Sequence, residues 1–304
     1  MPGLEGRPPY RAYVDESVST SEEPELSREI VLDTGSQAVT LVEDPARSGA
    51  YLLRIGDTDQ SYVDPADPLR LEFDYVQRIA DVIDLIAPEG ERIRVVHIGG
   101  AGLTLPRYVS ATRASSAQIV LEPDEELTQL VREHLPLPRR SGIKVRPIDG
   151  RAGIAALRDE FADLVIVDAF VGARVPAELT TTEFLTDVRR VVGATGAVVL
   201  NVTDSGQLGY SKRVLAGVAA CFGNVIYGTE PATLKGRRFG NVIITGSDGP
   251  LPEAGLIRRG AGSMFPYRLL TGAALRRFVG SAAPFADSDA ERSPDPVTGG
   301  AHFG

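Results

Sequence analysis

Tryptophan is absent from this 304-residue chain, cysteine occurs once and histidine three times. One cysteine, Cys221, excludes an intramolecular disulfide and a cysteine-based zinc site. It lies in Val214-Leu-Ala-Gly-Val-Ala-Ala-Cys-Phe222, an apolar helical pattern in which a buried inert thiol is expected rather than a nucleophile. His97, His134 and His302 are too scattered for a metal constellation, so no metal is expected. His97 sits inside a strand pattern and reads as a core residue, and His134 ends a helix, where a partly positive imidazole suits the dipole. Long apolar runs are missing too, and none approaches the roughly 20 residues that span a bilayer, so no membrane segment is expected. The opening residues, Met1-Pro-Gly-Leu-Glu-Gly-Arg-Pro-Pro9, lack a basic region followed by an apolar core. No secretory leader is therefore expected, and the cytoplasm is the default compartment. Positive charge is in deficit: 32 Lys and Arg against 41 Asp and Glu leave a net charge of −9. That balance opposes nucleic-acid binding and is compatible with a small cationic substrate.

What is present divides the chain into four stretches. Residues 1–27, rich in proline and acids with little apolar periodicity, read as a flexible arm. Residues 28–68 hold short β-type runs, Glu29–Asp33, Ala38–Glu43, a third over 50–55 and a fourth over 59–64, separated by turn compositions. They predict a small antiparallel β unit. Residues 69–250 open with a helical pattern over 71–86 and then alternate strand and helix patterns. Strands are predicted at 93–98, 117–121, 143–148, 163–168, 196–202, 223–228 and 240–245. Helices are predicted at 104–112, 124–134, 151–158, 181–192 and 210–221. Near-continuous apolar strands such as Leu164-Val-Ile-Val167 argue for a doubly wound, mostly parallel sheet. No helix is predicted between the last two strands, so a hairpin with loop 229–239 should leave the final strand antiparallel. That is the arrangement of the class I methyltransferase-like variety of Rossmann-like fold. Residues 251–304 read as an extension with one helix over 269–279 and a loose tail from Ala282.

The richest stretch is Arg94-Val-Val-His-Ile-Gly-Gly-Ala-Gly-Leu-Thr-Leu-Pro-Arg107. A strand feeding Gly99, Gly100 and Gly102 and then a helix start can hold a nucleotide-like ligand, because glycine permits sharp turning and close approach. The same composition also makes plain tight turns. Glu122, at the end of the second strand, is spaced to accept hydrogen bonds from a ribose, or it opens the following helix beside its cap, Asp124. Asp149 and Gly150 close the third strand, where the acid could reach a base amino group or cap a helix. Asp168 closes the fourth, as a catalytic or substrate-binding carboxylate or as a cap at a loop entrance. These features meet on one sheet edge, where open α/β sheets bind ligands. Tyr75 and Tyr62 could line the same cleft or simply pack, and Lys235-Gly-Arg-Arg238 reads as a basic loop tip.

On these residues, over about 36–246, the chain resembles the spermidine synthase (polyamine aminopropyltransferase) family, in its divergent bacterial spermidine-synthase-like branch. The resemblance rests on Gln60, on Glu72 and Tyr75 in one helix, on Gly99-Gly-Ala-Gly102 and on Leu121-Glu-Pro-Asp124. It continues through Asp149-Gly150, Val167-Asp168 and Leu179-Thr-Thr-Thr-Glu-Phe184. It implies decarboxylated S-adenosylmethionine as donor and a polyamine amine as acceptor. Gln60 and Glu122 would hold the ribose side, Asp149 the adenine and Asp168 the attacking amine, with Tyr75 beside it in the catalytic pair. A homodimer through the N-terminal β unit is also implied. Two places depart from the family. Gly102 stands where the family has an aspartate that grips the aminopropyl amine, and Val171 stands where it has a second, polyamine-binding aspartate. These losses keep three alternatives open: a methyltransferase using S-adenosylmethionine itself, a non-catalytic nucleoside-binding homologue, and an NAD(P) enzyme. The last is disfavoured by Leu105 at the place of the third glycine.

Overall fold

The structure, a computed structural model, describes residues 29–33 and 38–296. The expected N-terminal arm, the turn at 34–36, the end of the tail and His302 lie outside the described residues. Strands β1 (Glu29–Asp33), β2 (Ala38–Glu43), β3 (Tyr51–Ile55) and β4 (Thr58–Val63) form an antiparallel meander in chain order. Along β2, Val39 and Leu41 are buried while Ala38 and Thr40 are more open, the period of two of a half-covered strand. The meander shares its core with the rest of the chain: Leu41, Leu53 and Val63 pack with Leu103, Val120 and Leu130.

Helix α1 (Asp74–Leu85) follows, with Val76, Ile79, Val82 and Ile83 buried. Its far end is held by Arg113, whose guanidinium donates to the carbonyls of Ile83, Asp84, Ala87, Pro88 and Glu91. A helix end and the turn after it leave most of these carbonyls without backbone partners, so a fully buried arginine is stable there.

The main sheet contains β5 (Arg94–Ile98), β6 (Ala117–Leu121), β7 (Ile143–Arg146), β8 (Leu164–Val167), β9 (Ala197–Asp204), β10 (Asn224–Thr229), β11 (Gly240–Ser247) and β12 (Arg268–Leu270). Its order is β12-β10-β11-β9-β8-β5-β6-β7. β9, β8, β5, β6 and β7 run parallel, and β11 enters antiparallel between β9 and β10. Helices α2 (Thr104–Thr112), α3 (Glu125–His134), α4 (Gly150–Ala155), α5 (Thr182–Val192) and α6 (Gly209–Cys221) connect the strands. This is the expected class I methyltransferase-like sheet. Val96, Val165 and Leu200 face one layer of helices and Val95, Ile166 and Val199 the other, so these strands are apolar on both faces. The chain runs outward from β5 to β7 and returns to β8 on the other side of β5. That reversal opens a crevice beyond the ends of β5 and β8. None of the described helices is long and apolar enough to cross a membrane.

Three expectations need correction. The predicted loop between β10 and β11 contains a short helix, α7 (Pro231–Leu234), opened by the proline at its first position. The C-terminal extension holds α8 (Glu253–Ala261), edge strand β12 and α9 (Gly272–Val279) instead of one helix. Beyond α9, residues 282–296 form a strap rather than a loose tail. Phe285 is fully buried beside Tyr210 and under the Arg213 guanidinium, 3.9 Å from its ring centre. Its carbonyl accepts from Thr182 N at 2.9 Å. Ser293, also buried, bonds Val175 N and the Thr203 hydroxyl. Asp287 pairs with Arg151, Asp289 with Arg213 and Asp295 with Arg174. The strap is irregular, so apolar periodicity could not register it; isolated side-chain anchors hold it. Phe285→Ala is expected to cost about 3–5 kcal/mol in denaturant unfolding, and a loss below ~1 kcal/mol would mean that the strap is not part of the cooperative fold.

Candidate active site

The end of β5 approaches the end of β8 closely. Asp168 N donates to Ile98 O at 2.9 Å, and a side chain at Gly99 would overlap the Asp168 carbonyl. Gly99 also has φ +90, so only glycine meets both demands. Gly100 N donates to Glu122 Oε2 at 2.8 Å, and Glu122 Oε1 accepts from Asp124 N at 3.0 Å. Glu122 thereby ties the end of β6 to the glycine turn. Burial pushes its carboxyl up, opposed by these backbone donors. Ala101 at φ 35 and Leu103 at φ 61 are held in left-handed conformations uncommon for such residues.

Gly102 faces β4. Its N–H donates to Ser61 Oγ at 3.1 Å, and Thr104 Oγ1 donates to Tyr62 O at 3.0 Å. A Cβ at Gly102 would lie 2.6 Å from Val63 Cγ2 and 2.8 Å from Ser61 Cβ. The absence of an aspartate here is therefore a packing requirement.

Between the turn, β4 and the start of α1 lies a cleft of about 600 Å³, open to solvent. Gln60, Tyr62, Glu72, Phe73, Tyr75, His97, Gly99, Gly100, Asp168 and Phe170 are among the residues that line it. Five of the nine sequence-predicted site residues thus meet here: Gln60, Tyr75, Gly99, Gly100 and Asp168. Gly102 and Glu122 are bonded into the turn, through Ser61 and through Gly100, and are not among the lining residues. Asp149 and Gly150 stand apart at the β7–α4 junction. There Asp149 caps α4 by accepting from Ala152 N at 2.8 Å, and Gly150 fits against Ile98 and Leu179.

Asp168 is the acid at the cleft floor. Asn201 Nδ2 donates to its Oδ1 at 2.9 Å, while among the described residues none donates to Oδ2. Burial pushes the Asp168 carboxyl up to about 6, opposed by the Asn201 donor. Tyr75 lies on α1, stacked on Phe73 with ring centres 5.9 Å apart. Burial, with the Asp168 charge second, raises its phenol well above the ordinary value. His97 bonds Gln118 through Nε2 at 2.9 Å, and burial lowers its pKa to about 4. It is a neutral part of the floor across the physiological range. At the rim, Arg70 pairs with Glu72 and lies 5.8 Å from the Tyr62 ring centre. Val171 is exposed, and its backbone pairs with Arg174. Among the described residues no group of three or more His, Cys, Asp or Glu side chains could hold a metal ion. Sequence reasoning missed Asn201; its available signal was one amide inside an otherwise apolar strand.

No protein-family model matches the chain. It is 28% identical over 149 residues to a polyamine aminopropyltransferase of Vibrio vulnificus, covering 48% of each chain. It is 33% identical over 106 residues to a probable polyamine aminopropyl transferase of Bifidobacterium longum, covering 34% of this chain and 23% of that one. The chain thus spans less than half the length of these curated relatives. A crystal structure of a probable spermidine synthase from Corynebacterium glutamicum superposes with a TM-score of 0.79 at 29% identity, over 84% of this chain and 95% of that one. A spermidine synthase bound to the transition-state analogue AdoDATO shares the fold, with a TM-score of 0.51 at 14% identity over 86% of this chain and 82% of that one.

Introducing an aspartate into the glycine turn is expected to be destabilising. Gly102→Asp should lower stability by about 1–3 kcal/mol as β4 is pushed away; an unchanged unfolding midpoint would show that β4 yields freely.

Proposed function

From the premise that the chain is spermidine-synthase-like in sequence and fold, we propose that it is a transferase acting on a sulfonium adenosyl nucleoside. In this reading it moves an aminopropyl group from decarboxylated S-adenosylmethionine to the amine of a polyamine-like acceptor. The observation that carries the reading is the Asp168 carboxylate on the cleft floor, beside the glycine turn. The nucleoside fits the residues present. The cleft floor is backbone at Gly99 and Gly100, which a planar or sugar group can approach closely, and the polar amide of Gln60 stands at its wall. Gln60 and Glu122 would hold the ribose side. Asp149, exposed on the same sheet edge, would reach the adenine amino group with the oxygen that does not cap α4.

A sulfonium supplies an electrophilic carbon with a neutral thioether as leaving group. The protein's task is to present a nucleophile. An alkylamine resembles a lysine, with pKa about 10.4, and attacks only after losing a proton. Asp168 accepts that proton at Oδ2 and holds the nitrogen in line with the carbon–sulfur bond. As the amine nitrogen bonds to carbon, the carbon–sulfur electron pair stays on sulfur. Tyr75, its phenol far from ionising, serves as a neutral donor or wall beside the amine. A homodimer formed through the β meander and a cytoplasmic location complete the proposal.

A second reading, methyl transfer from S-adenosylmethionine, is favoured by one observation. Ser61 and Val63 occupy the space a side chain at position 102 would need, so the turn presents no carboxylate to an aminopropyl amine.

Asp168→Asn is expected to lower the rate of methylthioadenosine release from decarboxylated S-adenosylmethionine and putrescine by about 10²–10⁴-fold. In the unsubstituted protein that rate should fall as pH drops through about 6, where Asp168 takes up its proton. A fully active Asp168→Asn protein would remove the assigned role.

A further inference from the structure

All eight residues of β9 are buried, and apart from Asn201 the run Ala197-Val-Val-Leu-Asn-Val202 is apolar. Asn201 is 1% exposed. An amide in such a place is tolerated when its donors and its acceptor are used. Here Nδ2 donates to Asp168 Oδ1 at 2.9 Å, whereas among the described residues none donates to the buried Oδ1 of Asn201. A buried acceptor without a partner is destabilising; leucine, branched at the same carbon but bulkier, would avoid that cost while leaving the Asp168 oxygen without its donor. Asparagine at this position is thus tied to Asp168, the one residue its side chain bonds among those described. With Asp168 ionised this orientation of the amide is required, because turned over its oxygen would face a carboxylate oxygen.

We propose that Asn201 is the positioning residue of the cleft acid: its N–H fixes one oxygen of Asp168 and favours the ionised carboxylate, leaving the other oxygen for the incoming amine. This rests on the reading of Asp168 as proton acceptor. The donor acts against burial, which alone would hold the group protonated. It reaches Asp168 across neighbouring parallel strands, Ile166 pairing with Val199 and Val167 with Leu200, so rigid backbone sets the distance.

The test is a ¹³C NMR titration of the Asp168 carboxyl in the full chain and in Asn201→Leu, with the pH dependence of turnover measured alongside. A charge-assisted hydrogen bond corresponds to about one to two pH units. The expected result is that Asn201→Leu stays folded, titrates about one to two units higher at Asp168, and shifts the acid limb of turnover equally. Asn201→Asp keeps the size and replaces the donor with a second carboxyl; it should drive proton uptake by the pair higher still, which keeps the test open if leucine misfolds. An Asp168 titration unmoved in both variants overturns the positioning role whatever the activity does. A moved titration without a matching shift in turnover overturns the proton-acceptor reading, and the catalytic part of this inference with it.

Discussion

The backbone contact between Gly99 and Asp168 sets the rest of the site. Asp168 N reaches Ile98 O across the β5–β8 pair, and the space at Gly99 is so small that any side chain would strike the Asp168 carbonyl. Two chain segments 69 positions apart are thereby locked at the point where the sheet reverses its winding. On one side the chain must turn at once through Gly100 and the left-handed Ala101 and Leu103 into α2. On the other, the Asp168 side chain is committed to the cleft floor. The glycine turn and the acid are two consequences of one strand pairing.

Around that lock each neighbour has a separate task. Glu122 holds the turn from β6, and Ser61 holds it from β4. Asn201 holds Asp168 from β9. Aromatic side chains, Phe73, Tyr75 and Phe170, wall the cleft and keep the acid poorly hydrated, which raises its pKa into a range useful for exchanging protons near neutrality. The strap from 282 to 296 braces the loop that follows Asp168 through Arg174, Val175 and Thr182.

The layered fold was legible in the sequence because strand and helix patterns alternate without ambiguity. The β5, β6 and β9 regions are apolar on both faces, and α2, α3 and α5 begin within a residue or so of where periodicity puts them. The place of Asp168 beside the glycine turn was legible too, since position at a strand end follows from topology. Side-chain direction did not follow. Glu122 and Gly102 have the spacing of ligand-binding residues, yet their observed partners are the turn itself and β4. Asp149 likewise caps α4 outside the main cleft. The strap was illegible because single anchors, Phe285 and Ser293, secure a segment with no period. Asn201 went unseen because one polar residue carries no weight in a pattern of apolar ones.

The central claim concerns the group carried by the sulfonium, and the products report it most directly. Calorimetric binding of methylthioadenosine and S-adenosylhomocysteine to the same preparation measures whether the cleft accepts an amino-acid carboxylate. Asp168 on the floor, ionised above about pH 6, opposes a second negative charge nearby. Preference for methylthioadenosine is the predicted result. Preference for S-adenosylhomocysteine would contradict aminopropyl transfer and assign the cleft to methyl transfer.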